Sequence, residues 1–314
     1  MKMKINLIIL FTAVLISAGS IPTFTQANEA SQRKARGPNV PEGTRILRDL
    51  AYVPDGHERQ KLDLYLPKQK EGDAPPPIIV WVHGGAWLAG SKENCPSVRF
   101  LRQGYAAASI NYRLSQHAIF PAQIEDCKAA IRFLRANADK YNIDPNRIGV
   151  WGASAGGHLV ALLGTAGDVK EFDKGPNLHV SSRVQAVCDF FGPTDLTKMS
   201  AFASSMDHDA PDSPESLLVG GPVQENKEAC KRANPITYVS KDDPPFLICH
   251  GDKDPLVPHN QSVLLDAALK KVSVSVKFHT VKGGGHGFRD PEVDRMVQEF
   301  FDKHLKEPER KSSK

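Results

Sequence analysis

Apolar residues fall along the chain in short blocks of two kinds, and the order of those blocks predicts an architecture. Ile78 to Val82, Ala106 to Ile110, Ile148 to Trp151, Val184 to Phe190 and Phe246 to Cys249 are nearly unbroken apolar runs, the pattern of strands covered on both faces. Val272 to Val281 alternates instead. Ahead of them, Arg45 to Tyr52 and Gln60 to Tyr65 flank Pro54-Asp55-Gly56, and Leu62, Leu64 and Leu66 alternate, which predicts a hairpin on a sheet edge. Helical spacing fills the intervals. Ile124, Cys127, Ile131, Leu134 and Ala138 recur at steps of three and four between Pro121 and about Tyr141, and Val293, Met296, Val297, Phe300 and Phe301 do the same near the end. Further helices are expected around Ser97 to Gln103, from Leu159 to Leu163, and after Pro258, where His259 opens one. Strands alternating with helices predict an α/β fold: a mostly parallel central sheet with helices on both faces.

Three stretches depart from this alternation. Residues 1–27 begin with Lys2 and Lys4, continue through a mainly apolar core from Ile5 to Ile16 and end in small and polar residues, the layout of a secretory signal peptide. That predicts an exported protein, secreted or periplasmic, with no stable membrane insertion once the peptide is removed. Residues 28–42 read as a flexible segment and 307–314 as a disordered basic tail, which leaves 43–306 as one domain. Within it, Thr194 to Ser240 is polar and punctuated by Pro211, Pro214, Gly220, Gly221, Pro222 and Pro235. An insertion of that length in a compact domain reads as a small lid.

Composition narrows the partners. The 314 residues are 40% hydrophobic, ample for a buried core, and the two lysines of the leader supply half of the net charge of +4. A nearly neutral body makes nucleic acid an unsuitable partner. The cysteines Cys95, Cys127, Cys188, Cys230 and Cys249 are odd in number and mostly sit in apolar segments, so no obligatory disulfide framework is expected. No C-x-x-C or H-x-x-x-H spacing occurs, and neither a metal nor a cofactor is expected.

The chemistry gathers on Gly152-Ala153-Ser154-Ala155-Gly156, a serine boxed by small residues between an apolar strand and an apolar helix. Such a turn lifts the hydroxyl to the carboxyl end of the strand, with the helix amino end facing any anion formed there. Upstream, His83-Gly84-Gly85-Ala86-Trp87 follows a central strand, and its glycines leave backbone N–H groups unobstructed. Gly84, Gly85 and Ala155 are therefore candidate oxyanion donors. Trp87 is a candidate wall of the acyl pocket, with a core position as the rival reading. Downstream, His259, His279 and His304 read as surface histidines. Only His286 stands in a flexible loop, Gly283 to Phe288, directly after a strand. Either Asp252 or Asp254 could orient it, and spacing does not choose between them. His158 reads as a packed or backbone-bonded histidine.

At this point the chain resembles the α/β-hydrolase superfamily, in particular esterases of the hormone-sensitive-lipase-like group and the bacterial bifunctional feruloyl and acetylxylan esterase-like branch. The likeness rests on His83 to Trp87, Asn111 to Ser115, Gly152 to His158, His250-Gly251 through Asp254 to Val257-Pro258, and Gly285 to Phe288, and it spans nearly all of Gly43 to about Leu305. It implies an α/β-hydrolase fold, a Ser154, His286 and Asp254 triad, the aspartate before Pro255 being the triad acid, and an ester of a small molecule or a polysaccharide as substrate. Ala86 stands where many members carry a third glycine. The chain also lacks the long helical amino-terminal cap of many relatives, which favours an open site over a lipase. The rival expectations are a peptidase on the same scaffold and a binding protein built on an inactive hydrolase.

Overall fold

The computed structural model describes residues 39–306. The expected signal peptide, most of the 28–42 segment and the 307–314 tail lie outside the described residues. The chain passes through β1 (Arg45–Ala51), β2 (Lys61–Leu66), β3 (Ile78–Val82), a 3-10 helix (Pro96–Gln103), β4 (Ala106–Ile110), α1 (Ala122–Ala136), β5 (Ile148–Ala153), α2 (Ala155–Thr165) and β6 (Ala186–Phe190). After the insertion come β7 (Phe246–Gly251), α3 (Asn260–Lys271), β8 (Val276–Val281) and α4 (Pro291–Leu305). The eight strands form one sheet in the order β1-β2-β4-β3-β5-β6-β7-β8. β2 runs antiparallel to both its neighbours, and β4 through β8 pair in parallel.

The period of two along each strand divides the core in two. Ile78, Val80 and Val82 pack with Val150, Ile248 and the apolar faces of α1, α2 and α3. Their neighbours Ile79 and Trp81 face the other way, to Trp151, Cys249, the 3-10 helix and Phe301 of α4. Trp81 and Trp151, paired in register across β3 and β5, meet edge to face at 5.2 Å. Helix α2 is buried on every side, because the insertion covers the flank that the sheet leaves open; this explains its all-round apolar composition. All five cysteines are buried and unpaired.

Three local expectations change. The helical pattern from Pro121 to Tyr141 breaks at Asn137, and Ala138–Tyr141 forms a separate turn. The Asn137 amide donates to the Phe133 carbonyl at 2.8 Å, so its side chain competes with the helical ladder. The strand expected from Val272 begins only at Val276, because the N–H groups of Val272, Ser273 and Val274 still close the end of α3 on the Leu269 and Lys270 carbonyls. The Ser97 to Gln103 helix is of the tighter 3-10 kind, opened by Pro96 and stopped by Gly104 in the left-handed conformation. Thr194 to Ser240 is not structureless. It holds 3-10 turns at Leu196–Ala201 and Pro235–Tyr238 and short helices at Pro214–Val219 and Lys227–Ala233. Among the described residues no helix is long and apolar enough to cross a membrane.

Candidate active site

Ser154 joins β5 to α2 with φ 57° and ψ −125°, a region that only surrounding structure can impose on a residue with a side chain. The surroundings are tight. A Cβ on Gly152 would strike the Gly156 carbonyl, and one on Gly156 would strike the carbonyl oxygens of Val82 and His83. The two glycines thus let α2 start against the ends of β3 and β5, and the strained serine is held by its own N–H on the Phe190 carbonyl at 2.9 Å.

From this apex a hydrogen-bonded line runs across the carboxyl ends of the sheet. Ser154 Oγ lies 3.0 Å from Nε2 of His286, and His286 Nδ1 lies 2.8 Å from Oδ2 of Asp254. With Nδ1–H donating to the carboxylate, Nε2 is left to accept the serine hydroxyl. Asp254 comes from the loop after β7 and His286 from the loop after β8. Asp252 is exposed and points elsewhere, accepting from the N–H of Gly283 at 2.6 Å. It ties the glycine loop to the end of β7.

Sequence reasoning gave no role to His250, yet it shares Asp254. This fully buried ring places Nε2 2.9 Å from the Val257 carbonyl and 3.3 Å from Asp254 Oδ2, while Nδ1 meets Ser262 Oγ at 2.7 Å. The other oxygen of Asp254 accepts from the N–H groups of Leu256 and Val257. Burial by itself would raise the Asp254 pKa. Hydrogen bonds from His250, His286 and Leu256 outweigh it and hold the carboxyl well below its ordinary range. The signal available in the sequence was the strand end His250-Gly251, one turn before the acid.

The His83 loop is braced from behind. His83 is buried, stacks on Tyr112 at 4.4 Å, donates from Nδ1 to the Gly84 carbonyl and accepts at Nε2 from Arg59. Burial, with Arg59 nearby, lowers its pKa to about 4 despite the Gly84 bond, so the ring is a neutral strut. Arg59 also donates to the Tyr112 and Gly90 carbonyls, and the Tyr112 hydroxyl to the His83 carbonyl. Beyond this strut the backbone turns through Gly85 at φ 105°, Ala86 at φ 55° and Trp87 at φ 57°. The position without its third glycine still adopts the conformation that glycine favours. Gly84 lies against Ser154, where an added Cβ would come 3.2 Å from the serine Cβ, whereas Ala86 shares a cavity wall with Ala155. Ala86, which stood out in the sequence only as the missing third glycine, thus lines the same cavity as the serine.

That cavity holds about 60 Å³ and is lined by Ala86, Trp87, Ala155, Ser154 and His286 from the body of the fold, and by Met206, His208, Pro214 and Glu215 from the insertion. Trp87 is 1% exposed and belongs to the core, and it also forms a wall of this cavity. Its ring meets His158 edge to face at 5.3 Å. His158 is buried with Nε2 donating to the Ala233 carbonyl at 2.7 Å, which fastens the insertion to α2. His259, by contrast, meets Thr280 and stands apart from the serine. Among the described residues no cluster of His, Cys, Asp and Glu has the geometry to hold a metal ion. The arrangement as a whole offers a polarised hydroxyl, a base, an orienting carboxylate and free backbone donors, the components of acyl transfer.

The chain is similar in sequence and in fold to known esterases. The family model BD-FAE matches residues 62–269. Esterase LipC of Mycobacterium tuberculosis is 34% identical over 218 residues, covering 68% of this chain and 53% of LipC. The chain spans about half the length of the curated relatives it matches. Among solved structures, a truncated form of a carbohydrate esterase from gut microbiota is 38% identical with a TM-score of 0.78, over 85% of this chain and 99% of that one. An acetyl ester-xyloside bifunctional hydrolase from Caldicellulosiruptor lactoaceticus is 30% identical with a TM-score of 0.62, over 77% of this chain and 85% of that one.

Proposed function

The chain belongs to the BD-FAE family and has the α/β-hydrolase fold, and from that premise we propose that it is an exported serine carboxylic-ester hydrolase acting on short acyl or feruloyl esters of polysaccharides. The observation that carries the reading is the unbroken line from Ser154 Oγ through His286 to Asp254, at 3.0 and 2.8 Å. In this mechanism Oγ attacks the ester carbonyl while its proton passes to Nε2 of His286. The tetrahedral oxyanion faces the N–H groups of Gly84, Gly85 and Ala155, each such donor being worth about 3 kcal/mol in the transition state, with Ala86 beside them. His286 then gives the proton to the departing alcohol as the C–O bond breaks, leaving the acyl group on Ser154. Water repeats the sequence and releases the acid. Asp254 stays ionised throughout and, steadied by His250, keeps His286 in the required tautomer.

The substrate class is supported by size, polarity and kinship. A cavity of about 60 Å³, against the ~300–1,000 Å³ of pockets for drug-sized ligands, suits a short acyl group, and Trp87 closes one side of it. The insertion brings Asp207, Asp209, Asp212 and Glu215 rather than a broad apolar face, which fits a sugar-like alcohol better than a lipid surface. Two structural relatives are described as a carbohydrate esterase and an acetyl ester-xyloside hydrolase. The leader-like layout of residues 1–27 supports export. We expect higher kcat/KM on 4-nitrophenyl acetate than on the octanoate, release of acetate or ferulate from acylated xylan, and loss of several orders of magnitude in Ser154→Ala. Preference for long-chain triacylglycerols with no action on acylated saccharides would leave a general carboxylesterase or lipase. Absence of any esterase activity would favour a peptidase or a binding protein.

A further inference from the structure

Arg59 lies in the connection between β1 and β2, outside the sequence motifs of the site, yet its side chain grips the loop that carries the proposed oxyanion donors. Nε donates to the Tyr112 carbonyl at 2.8 Å, and Nη2 stands 3.1 Å from Nε2 of His83 and 2.9 Å from the Gly90 carbonyl. His83 opens the loop and Gly90 closes it. Arg113 and Arg132 pair with the carboxylates of Asp126 and Asp173, whereas these acceptors of Arg59 are neutral. The guanidinium thus serves to hold both ends of one loop to the end of β4.

This contact also fixes a proton. A guanidinium donates and never accepts, so the His83 Nε2 that faces it is the lone-pair nitrogen and the ring proton sits on Nδ1. Nδ1 lies 2.7 Å from the Gly84 carbonyl, which receives that proton. The Gly84–Gly85 peptide is trans, and in a planar trans peptide the C=O and the following N–H point in opposite directions. Drawing the Gly84 carbonyl to the His83 ring therefore turns the Gly85 N–H away from it. The Gly85 carbonyl is engaged as well, by the N–H groups of Leu88 and Ala89, both at 2.9 Å. Gly90 packs on the same contact, since a Cβ there would stand 2.5 Å from both the Gly84 oxygen and His83 Nδ1. In the other tautomer a lone pair on Nδ1 would face the Gly84 oxygen and an Nε2 proton would face the guanidinium. Both contacts would be repulsive, and the peptide would be released.

We infer that Arg59 is a positioning residue for the oxyanion site, acting through the His83 tautomer to aim the Gly85 N–H at the substrate carbonyl oxygen. The inference rests on ester hydrolysis at Ser154 and adds to it a residue outside the cavity lining. Acylation and deacylation both pass through an oxyanion. Loss of the aim therefore slows the two together and leaves ground-state binding nearly as it was.

The test measures kcat and KM on 4-nitrophenyl acetate, per serine titrated with a fluorophosphonate, in wild type, Arg59→Gln and Arg59→Lys. A glutamine amide accepts as well as donates, so it no longer selects the tautomer. In Arg59→Gln kcat should fall about tenfold to a hundredfold, part of the roughly hundredfold to thousandfold that one oxyanion donor is worth, with KM within about twofold of wild type. Lysine only donates, and Arg59→Lys should keep more of kcat than Arg59→Gln does. An Arg59→Gln protein with kcat within about twofold of wild type, whatever its Tm, overturns the inference and leaves Arg59 a structural brace. Nitrogen NMR shifts of the wild-type His83 ring need no variant to fold. They should place the proton on Nδ1 at neutral pH, and a proton on Nε2 overturns the inference. If the wild type hydrolyses no ester, the esterase reading itself fails, a result distinct from an active enzyme indifferent to Arg59.

Discussion

Asp252 and Asp254 are two residues apart, chemically identical, and differ only in what they touch. Asp254 receives His286, His250 and two backbone N–H groups, while Asp252 receives one N–H of the glycine loop. Asp254→Asn should therefore lower kcat by about four orders of magnitude, because an amide in that place favours the wrong tautomer of His286. Asp252→Asn should cost less than about tenfold, since an amide oxygen still accepts from Gly283. Steady-state kinetics on 4-nitrophenyl acetate reads both, and the reverse order would transfer the orienting role to Asp252.

The loop from His83 to Trp87 is the element on which the proposed oxyanion site depends, and adjacent positions in it obey different rules. At Gly85, φ 105° and a virtual Cβ 2.5 Å from the Ala89 carbonyl leave no room for a side chain. Ala86 already carries one at φ 55°. An alanine in the left-handed region costs ~1–2 kcal/mol, while a glycine loses up to ~1 kcal/mol more chain entropy on folding, so the two effects largely cancel. Ala86→Gly is expected to shift stability by no more than about 1 kcal/mol in either direction. Gly85→Ala should destabilise by ~2 kcal/mol or more and depress kcat steeply, because the displaced backbone carries the proposed donors. Urea unfolding together with turnover on the acetate ester distinguishes the two; equal behaviour of the variants would mean that the loop is not held as described.

For the molecule as a whole, buried titratable groups set the acid limit of stability. Burial lowers the pKa of His83 and His158 from 6.5 to about 4. In that window the unfolded chain binds protons that the folded chain refuses, so their contribution is present above pH 6.5 and is lost as the pH falls through 4. Asp189 works in the opposite sense. Burial raises its pKa from 3.8 to about 7, only partly countered by the Gly192 N–H, so its contribution is present below pH 3.8 and is lost as the pH rises through 7. Two groups against one leave a net loss of about 3 kcal/mol between pH 6.5 and 4. The urea midpoint should peak near pH 6.5 and fall toward pH 4. Asp189→Asn should steepen the acid fall and flatten the profile above pH 6.5. A profile unaltered by that substitution would remove Asp189 from the balance.

What the sequence by itself determined is whatever depends on neighbours along the chain. The doubly covered strands β3 and β4 appear at their expected bounds because an unbroken apolar run has nowhere to lie except inside a sheet, and the small residues around Ser154 allow the close turn from β5 into α2. Failures at Asn137 and at Val272 to Ser275 are also local, arising where side-chain or helix-closing hydrogen bonds outbid a hydrophobic period. Tertiary structure alone decided which strand ends meet. Spacing left Asp252 and Asp254 open, and the choice between them came only from resemblance until the loops after β7 and β8 were placed side by side. The strand end His250-Gly251 and the missing third glycine at Ala86 were visible in the sequence, but not that the one backs Asp254 and the other walls the cavity beside Ser154. Ala86 acquires its role from Ser154, distant in sequence, and His250 from a turn that folds Asp254 back onto it four residues later; a hydrophobic period encodes neither contact.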